Sequence, residues 1–324
     1  MNPPAPESPS PFLIWNRKTI LKTQSWSLSW PDSVLRDILQ KFDSGGVETA
    51  DLEKINPSLG EIPSLREWVT EEIQTELRLG TGFVRIEAPW IPLTEKQLRF
   101  AYLVLGWALG PTIERYGRLY DVIDQGSSYT ETRIPVSQTQ AETRFHTDSS
   151  ARHCLPEFVG LLCIRPAASG GTSQLVHALH VHERLSQRHP ELLSELYRPW
   201  IRNIVTPGTE FNLENLKANR IPVFEKNPGR FSGIAFRYMR YWIEKGHELA
   251  GEPLSTKAIE AMNRLDEELH NPENFFEFDL KASEILMIHN ARLAHNRTEF
   301  QDPQDATAGS RRRLVRMWIN ELMS

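Results

Sequence analysis

Arg144-Phe145-His146-Thr147-Asp148-Ser149-Ser150 is the stretch from which the rest of the chain is read. His146 and Asp148 stand two residues apart, and in an extended segment residues i and i+2 project to the same face. An imidazole nitrogen and a carboxylate oxygen then reach one point, a donor pair suited to a divalent first-row metal. Alone the pair is weak, because His-x-Asp arises by chance and a hydrogen-bonded surface pair is its commoner explanation. A metal there needs a third protein ligand, which in a barrel comes from any neighbouring strand.

Outward from this segment the chain has two characters. Upstream, Val34, Leu35, Ile38, Leu39 and Phe42 predict an amphipathic helix over 32–44 stopped by Gly45-Gly46. Ser64 and Glu67 read as a capping box for a second helix ending at Gly80, and Thr94 and Gln97 as another for a third ending at Gly110-Pro111. Gly82 to Ile86 alternates like a strand. From about residue 119, short strand-like runs dominate: 119–123, 158–164, 174–179, 201–205, 275–280, 285–289 and 314–319. Helical patterns over 182–196 and 258–269 interrupt them. Many short strands without βαβ alternation predict a mainly β fold, an antiparallel barrel or double-sheet jelly roll with flanking helices. The expected organisation is a disordered Pro/Ser-rich tail over 1–12 and one domain over 13–324, helical to about 118 with a jelly-roll core over 119–324.

Composition excludes several function classes. A hydrophobic content of 40% and a charged content of 24% are those of a globular protein with a core of its own. A net charge of −5 gives no reason to expect nucleic acid or an anionic membrane as partner. The longest apolar run, 100–110, is too short to span a bilayer. Two cysteines, Cys154 and Cys163, make neither a disulfide framework nor a Cys-rich zinc site, so a reducing, cytoplasmic setting is expected.

Among the other histidines, His177, His180 and His182 form a dense cluster, but on a strand-to-helix connection they diverge and read as a solvated edge. His153, His189 and His270 read as loop or helix-end residues, and His247 has no ligand-spaced partner. The segment from Ile288 to Phe300, with His289 and His295, remains. After it come Arg311, Arg312 and Arg313, which run into the apolar stretch Leu314-Val315-Arg316-Met317-Trp318-Ile319. A guanidinium in such a strand is expensive unless paired, and is well shaped to hold a carboxylate by two parallel hydrogen bonds. Arg312 and Arg316 are four apart and share a strand face.

With these pieces together the chain resembles the taurine dioxygenase and clavaminate synthase-like iron(II)- and 2-oxoglutarate-dependent oxygenases. The resemblance rests on His146-Thr147-Asp148, the Gly170-Gly171-Thr172-Ser173 turn, Asn290-x-Arg292-x-x-His295-x-Arg297-Thr298-x-Phe300, and the strand ending Leu314-Val315-Arg316-Met317-Trp318, in the family's order. It implies a double-stranded β-helix (the cupin-like jelly roll), with His146, Asp148 and His295 as catalytic iron ligands. Arg312 with Ser173, or adjacent Thr172, would bind 2-oxoglutarate, and Arg313 competes with Arg312 for that role. Where the family has Gly-Asp before its distal strand, this chain has Ser283-Glu284. The resemblance implies Fe(II), 2-oxoglutarate and O2 as reactants, and oxidation of a small molecule's unactivated C–H coupled to release of succinate and CO2. Because Asp148 fills the position that halogenating relatives leave open to halide, hydroxylation, desaturation or ring closure is expected instead.

The primary substrate is read as a small molecule, amino-acid-like or anionic. Tyr129, Glu142, Arg144, Arg237, Tyr238, Arg240 and Arg316 are candidates to line its pocket, Arg316 being the most pointed. Two other classes stay open: a zinc-dependent hydrolase on the same donor set, and a non-catalytic small-molecule-binding barrel.

Overall fold

The computed structural model describes residues 13–126, 136–203, 211–228, 233–303, 307 and 309–323. The tail over 1–12, Tyr129 and the far end of the run expected over 201–205 lie outside the described residues.

The strands that matter are β1 (Ser27–Leu28), β2 (Phe83–Ile86), β3 (Tyr120–Ile123), β4 (Cys154–Arg165), β5 (Ser173–His177), β6 (Phe275–Phe278), β7 (Ile285–His289), β8 (Leu293–Arg297) and β9 (Arg313–Met323). The major sheet runs in the order β1-β2-β7-β4-β9-β3, and the minor sheet in the order β6-β5-β8. All pairings in both are antiparallel except β1 with β2. The fold is the jelly roll that the pattern of short strands predicts.

Strict alternation gives the major sheet two faces. Val84, Ile285, Met287, Val315, Met317 and Ile319 pack outward against the N-terminal helices. Val159, Cys163, Leu286, Ile288 and Leu314 point inward and meet Leu175, Phe276 and Leu293 of the minor sheet. The helical layer consists of α1 (Asp32–Ser44), α2 (Pro63–Trp68, continued by a π-turn over Val69–Ile73 into Gln74–Arg78) and α3 (Glu95–Leu109). Gly106 of α3 lies directly against Met317, so a side chain there would have to displace the end of that methionine. Thr94 and Gln97 form the expected capping box. Ser64 does not form one: Ile62 is the N-cap of α2, and the Ser64 hydroxyl donates to Asp37 instead.

Two further expectations are corrected. The pattern over 182–196 is two helices, α4 (Ala178–Arg188) and α5 (Pro190–Leu196). Pro190 lacks an amide hydrogen and sterically disfavours a helical conformation at His189, so the first helix ends there. Nor is the histidine cluster beside it a solvated edge: His177 and His182 are buried, His182 against the Tyr197 hydroxyl, while the half-buried His180 meets Asn274. They diverge, as expected of a strand-to-helix junction. Further along are the helices α6 (Arg240–Ala250) and α7 (Thr256–Leu269), and α4, α5 and α7 cover the outer side of the minor sheet through Val176 and Ala294.

Candidate active site

The segment carrying His146 and Asp148 is extended, and its neighbours hold it as a strand would. His146 exchanges backbone hydrogen bonds with His295 on β8, at 3.0 and 2.9 Å. The Thr147 amide donates to the Tyr238 carbonyl, and the Thr147 hydroxyl accepts from the Tyr238 amide. At Asp148 the side-chain amide of Asn290 stands in for a neighbouring strand: its oxygen accepts from the Asp148 amide (2.8 Å) and its nitrogen donates to the Asp148 carbonyl (3.0 Å). Arg144 (φ 56°) and Ser149 (φ 58°) adopt left-handed conformations at either end. The turn at Arg144 brings its carbonyl 2.8 Å from Nδ1 of His146, which donates to it and leaves Nε2 free for a metal.

His146 and Asp148 do share a face. Nε2 of His146 lies 3.6 Å, and Nε2 of His295 3.7 Å, from the same Asp148 oxygen, Oδ1. The three ligand atoms lie within 4.8 Å of one another and form the one metal-capable cluster among the described residues. Burial alone would raise the Asp148 carboxyl, but the Arg316 charge, with the two histidines beside it, holds it well below the usual range. Burial and the neighbouring His146 push His295 down. An ionised carboxylate beside a neutral imidazole is the state metal binding requires, so this donor set fits a divalent cation without rearrangement.

The second oxygen of Asp148 faces the opposite way. Oδ2 accepts from the Trp318 indole at 2.6 Å and from Arg316 at 3.3 Å. The guanidinium of Arg316 is stacked over the Trp318 and Tyr120 rings, at 4.6 and 5.1 Å.

A cavity opens from these three side chains between the two sheets. Its walls are apolar, with Val122, Val159, Leu161, Leu175 and Leu286 among them, and Ser173, Arg297, Arg312 and Arg316 supply polar groups. Arg312 is buried and stacks on Phe300 at 4.9 Å, while its backbone amide donates to Asp302. Among the described residues none pairs with its guanidinium, which leaves a buried cation directed at the cavity. A carboxylate is the ligand that such a group calls for. Arg313 points the other way and pairs with Glu95 on α3. Ser173 reaches the cavity, whereas the Thr172 hydroxyl is engaged by Asp279 at 2.8 Å outside it.

The candidates for substrate contact separate. Arg316 lines the cavity. Glu142 is exposed and accepts from Asn296, the residue after His295. Arg237 does not reach the cavity. It is buried behind the site, donates to the carbonyls of Arg152 and His153, and lies 3.6 Å from Glu225. Arg240 and the Tyr238 hydroxyl meet on Asp266 of α7. The roles of Asn290 and Trp318 were not read from the sequence. Both stand in motifs that carry the resemblance, but spacing does not say that they meet Asp148.

Residues 49–318 match the model of the taurine catabolism dioxygenase TauD, TfdA family. The chain belongs to that family. Its members are iron(II)- and 2-oxoglutarate-dependent oxygenases, and the zinc hydrolase and non-catalytic readings give way to that activity. Among curated TauD/TfdA relatives is the FR-33289 synthase of Streptomyces rubellomurinus, 23% identical over 318 residues, which cover 95% of this chain and 88% of that protein. An asparagine oxygenase, solved with Fe(II), 2S,3S-3-hydroxyasparagine and succinate, superposes with a TM-score of 0.66 at 16% identity, over 91% of this chain and 93% of that one. The non-heme iron oxygenase OrfP, solved with Fe and alpha-ketoglutaric acid, gives 0.62 at 14% identity, over 91% and 94%. These likenesses bear on the fold. No described helix is long and apolar enough to cross a membrane.

Proposed function

We propose that this TauD/TfdA-family oxygenase hydroxylates a small anionic, amino-acid-like molecule. In this reading His146, Asp148 and His295 hold Fe(II) on one face, and Arg312 with Ser173 holds the distal carboxylate of 2-oxoglutarate. Bound together, iron and 2-oxoglutarate would activate O2, one atom passing to succinate as CO2 is released and the other to the substrate. The protein orients these partners and keeps water out: Val159, Leu161 and Leu286 offer a hydrated species no hydrogen bonds.

The observation that carries the substrate class is Arg316. Among the described residues, three guanidiniums and one carboxylate line the cavity. Arg297 is committed to the carbonyls of Thr139, Gln140 and Thr298, and Arg312 is assigned to the cosubstrate. Arg316 spends one nitrogen on Asp148 and remains the cation for a substrate carboxylate or other oxyanion. The 3-hydroxyasparagine and (3S)-hydroxy-L-Arg bound in the asparagine oxygenase and in an OrfP mutant support an amino acid as the first molecule to try. Cys154 and Cys163 are not joined in a disulfide, which suits the expected reducing, cytoplasmic setting.

The test is a screen of amino acids, small carboxylates and sulfonates for stimulated succinate formation with Fe(II), 2-oxoglutarate and air, repeated on Arg316→Gln. The expected hit is anionic, and its KM rises by about 10- to 100-fold in the variant, the worth of a charged hydrogen bond. A hit without a negative charge, or one whose KM ignores Arg316, would contradict the reading.

A further inference from the structure

Asp148 offers one oxygen to the metal position, and its other oxygen is already occupied. Were both free to turn toward the cation, the carboxylate could chelate it and take a coordination position needed by the cosubstrates. Arg316 alone is a poor guard, because its contact to Oδ2 is long at 3.3 Å and its charge also faces the cavity. The shorter contact comes from Trp318, whose indole N–H donates to Oδ2 at 2.6 Å.

The surroundings of Trp318 keep that donor in place. It pairs with Val159 in the β4–β9 register, and its carbonyl accepts from the Ile113 amide at 2.8 Å. One face lies under the Arg316 guanidinium, and Tyr116 meets the ring edge-on at 5.5 Å. Indole donates and never accepts, and it does not ionise, so its direction does not change with pH or with the occupant of the cavity.

We propose that Trp318 is a positioning residue for the metal: its indole N–H holds Oδ2 of Asp148 away from the cation and restricts that carboxylate to one metal bond through Oδ1. The residue touches neither iron nor substrate and acts through Asp148. The assignment is independent of which molecule is oxidised.

Trp318→Phe keeps a ring for Arg316 and Tyr116 and removes only the donor. Metal-free protein is titrated with Co(II) by calorimetry, and the ligand-field absorption of the complex is recorded. The expected result is an affinity changed by about 10- to 100-fold, as for loss of partners behind metal ligands. A shifted Co(II) spectrum should accompany it, with a melting temperature close to that of the parent chain. Wild-type affinity together with a wild-type spectrum would overturn the assignment. Should the variant not fold, the indole N–H resonances of the nine tryptophans are compared between the parent chain and Asp148→Ala. One resonance should move far more than the rest when its acceptor is removed, and a uniform spectrum would overturn the assignment equally.

Discussion

Arg312 and Arg313 are chemically identical neighbours with opposite destinations. Alternation along β9 sends Arg313 to the helical layer, where Glu95 neutralises it, and leaves Arg312 buried over Phe300 with no described partner. Composition names three candidate guanidiniums; only register separates them, and an irregularity between Arg313 and Leu314 lies at that point. Lysine keeps the charge but loses the planar fork. Arg312→Lys should therefore raise the KM for 2-oxoglutarate by about 10- to 100-fold, with Arg313→Lys near the parent value in the same succinate assay. A larger effect at Arg313 would show that the cosubstrate binds in the other register. The His-x-Asp spacing was legible because a two-residue period needs no tertiary information. The contacts of Asp148 with Asn290 and Trp318 were not, since each joins segments that only the folded sheets bring together.

At the level of elements, the turn that carries the metal motif is buttressed from behind by guanidiniums. Arg202, fully buried, donates to the carbonyls of Ser150, Ile221, Pro222 and Arg237, and Arg237 passes the support on to Arg152 and His153. This explains why Arg237, attractive as a substrate contact in a cationic, aromatic run, faces backbone instead of the cavity. Replacing Arg202 by Met preserves much of the volume and leaves several buried carbonyls without donors, at roughly 1–3 kcal/mol for each unmet group. Urea unfolding should show a loss of about 3 kcal/mol or more; a loss under about 1 kcal/mol would mean that water or backbone shifts satisfy those carbonyls. Element legibility followed the same physics. Helix α3 announced itself by its period and capping box, whereas β8 did not, because Leu-Ala-His-Asn-Arg has too few apolar residues to show a period of two. The Ser283-Glu284 turn shows tolerance: Ser283 takes φ 68° where the resemblance expects glycine, and Glu284 caps the Lys281 amide.

Across the molecule, a face-to-face jelly roll places its titratable histidines at the seams between sheet and helices. Burial lowers His182 to about 4 and His177 to about 3, from 6.5. Both folded values lie below the unfolded one, so unfolded chains take up protons first. Their contribution to stability is fully present above about pH 6.5 and is lost progressively as pH falls from there to about 4 for His182 and about 3 for His177. Each histidine should remove about 2 kcal/mol between pH 7 and pH 5. Urea unfolding at the two values measures the loss, and His182→Gln, which keeps a polar group beside Tyr197, should shrink it; an unchanged loss would mean that His182 is accessible to protons in the folded state. The layered architecture itself was legible, since many short strands without βαβ alternation call for a jelly roll with the helices packed on its outside. The burial of His177 and His182 was not, because nothing local reveals which helices will cover a junction. The claim on which the rest depends is that His146, Asp148 and His295 bind Fe(II) and that the cavity beside them takes 2-oxoglutarate. Anaerobic titration of metal-free protein with both tests it most directly. A visible charge-transfer band that saturates at one iron per chain, and is lost in Asp148→Ala with the chain still folded, is the expected result; no band, or one that survives removal of Asp148, would contradict it.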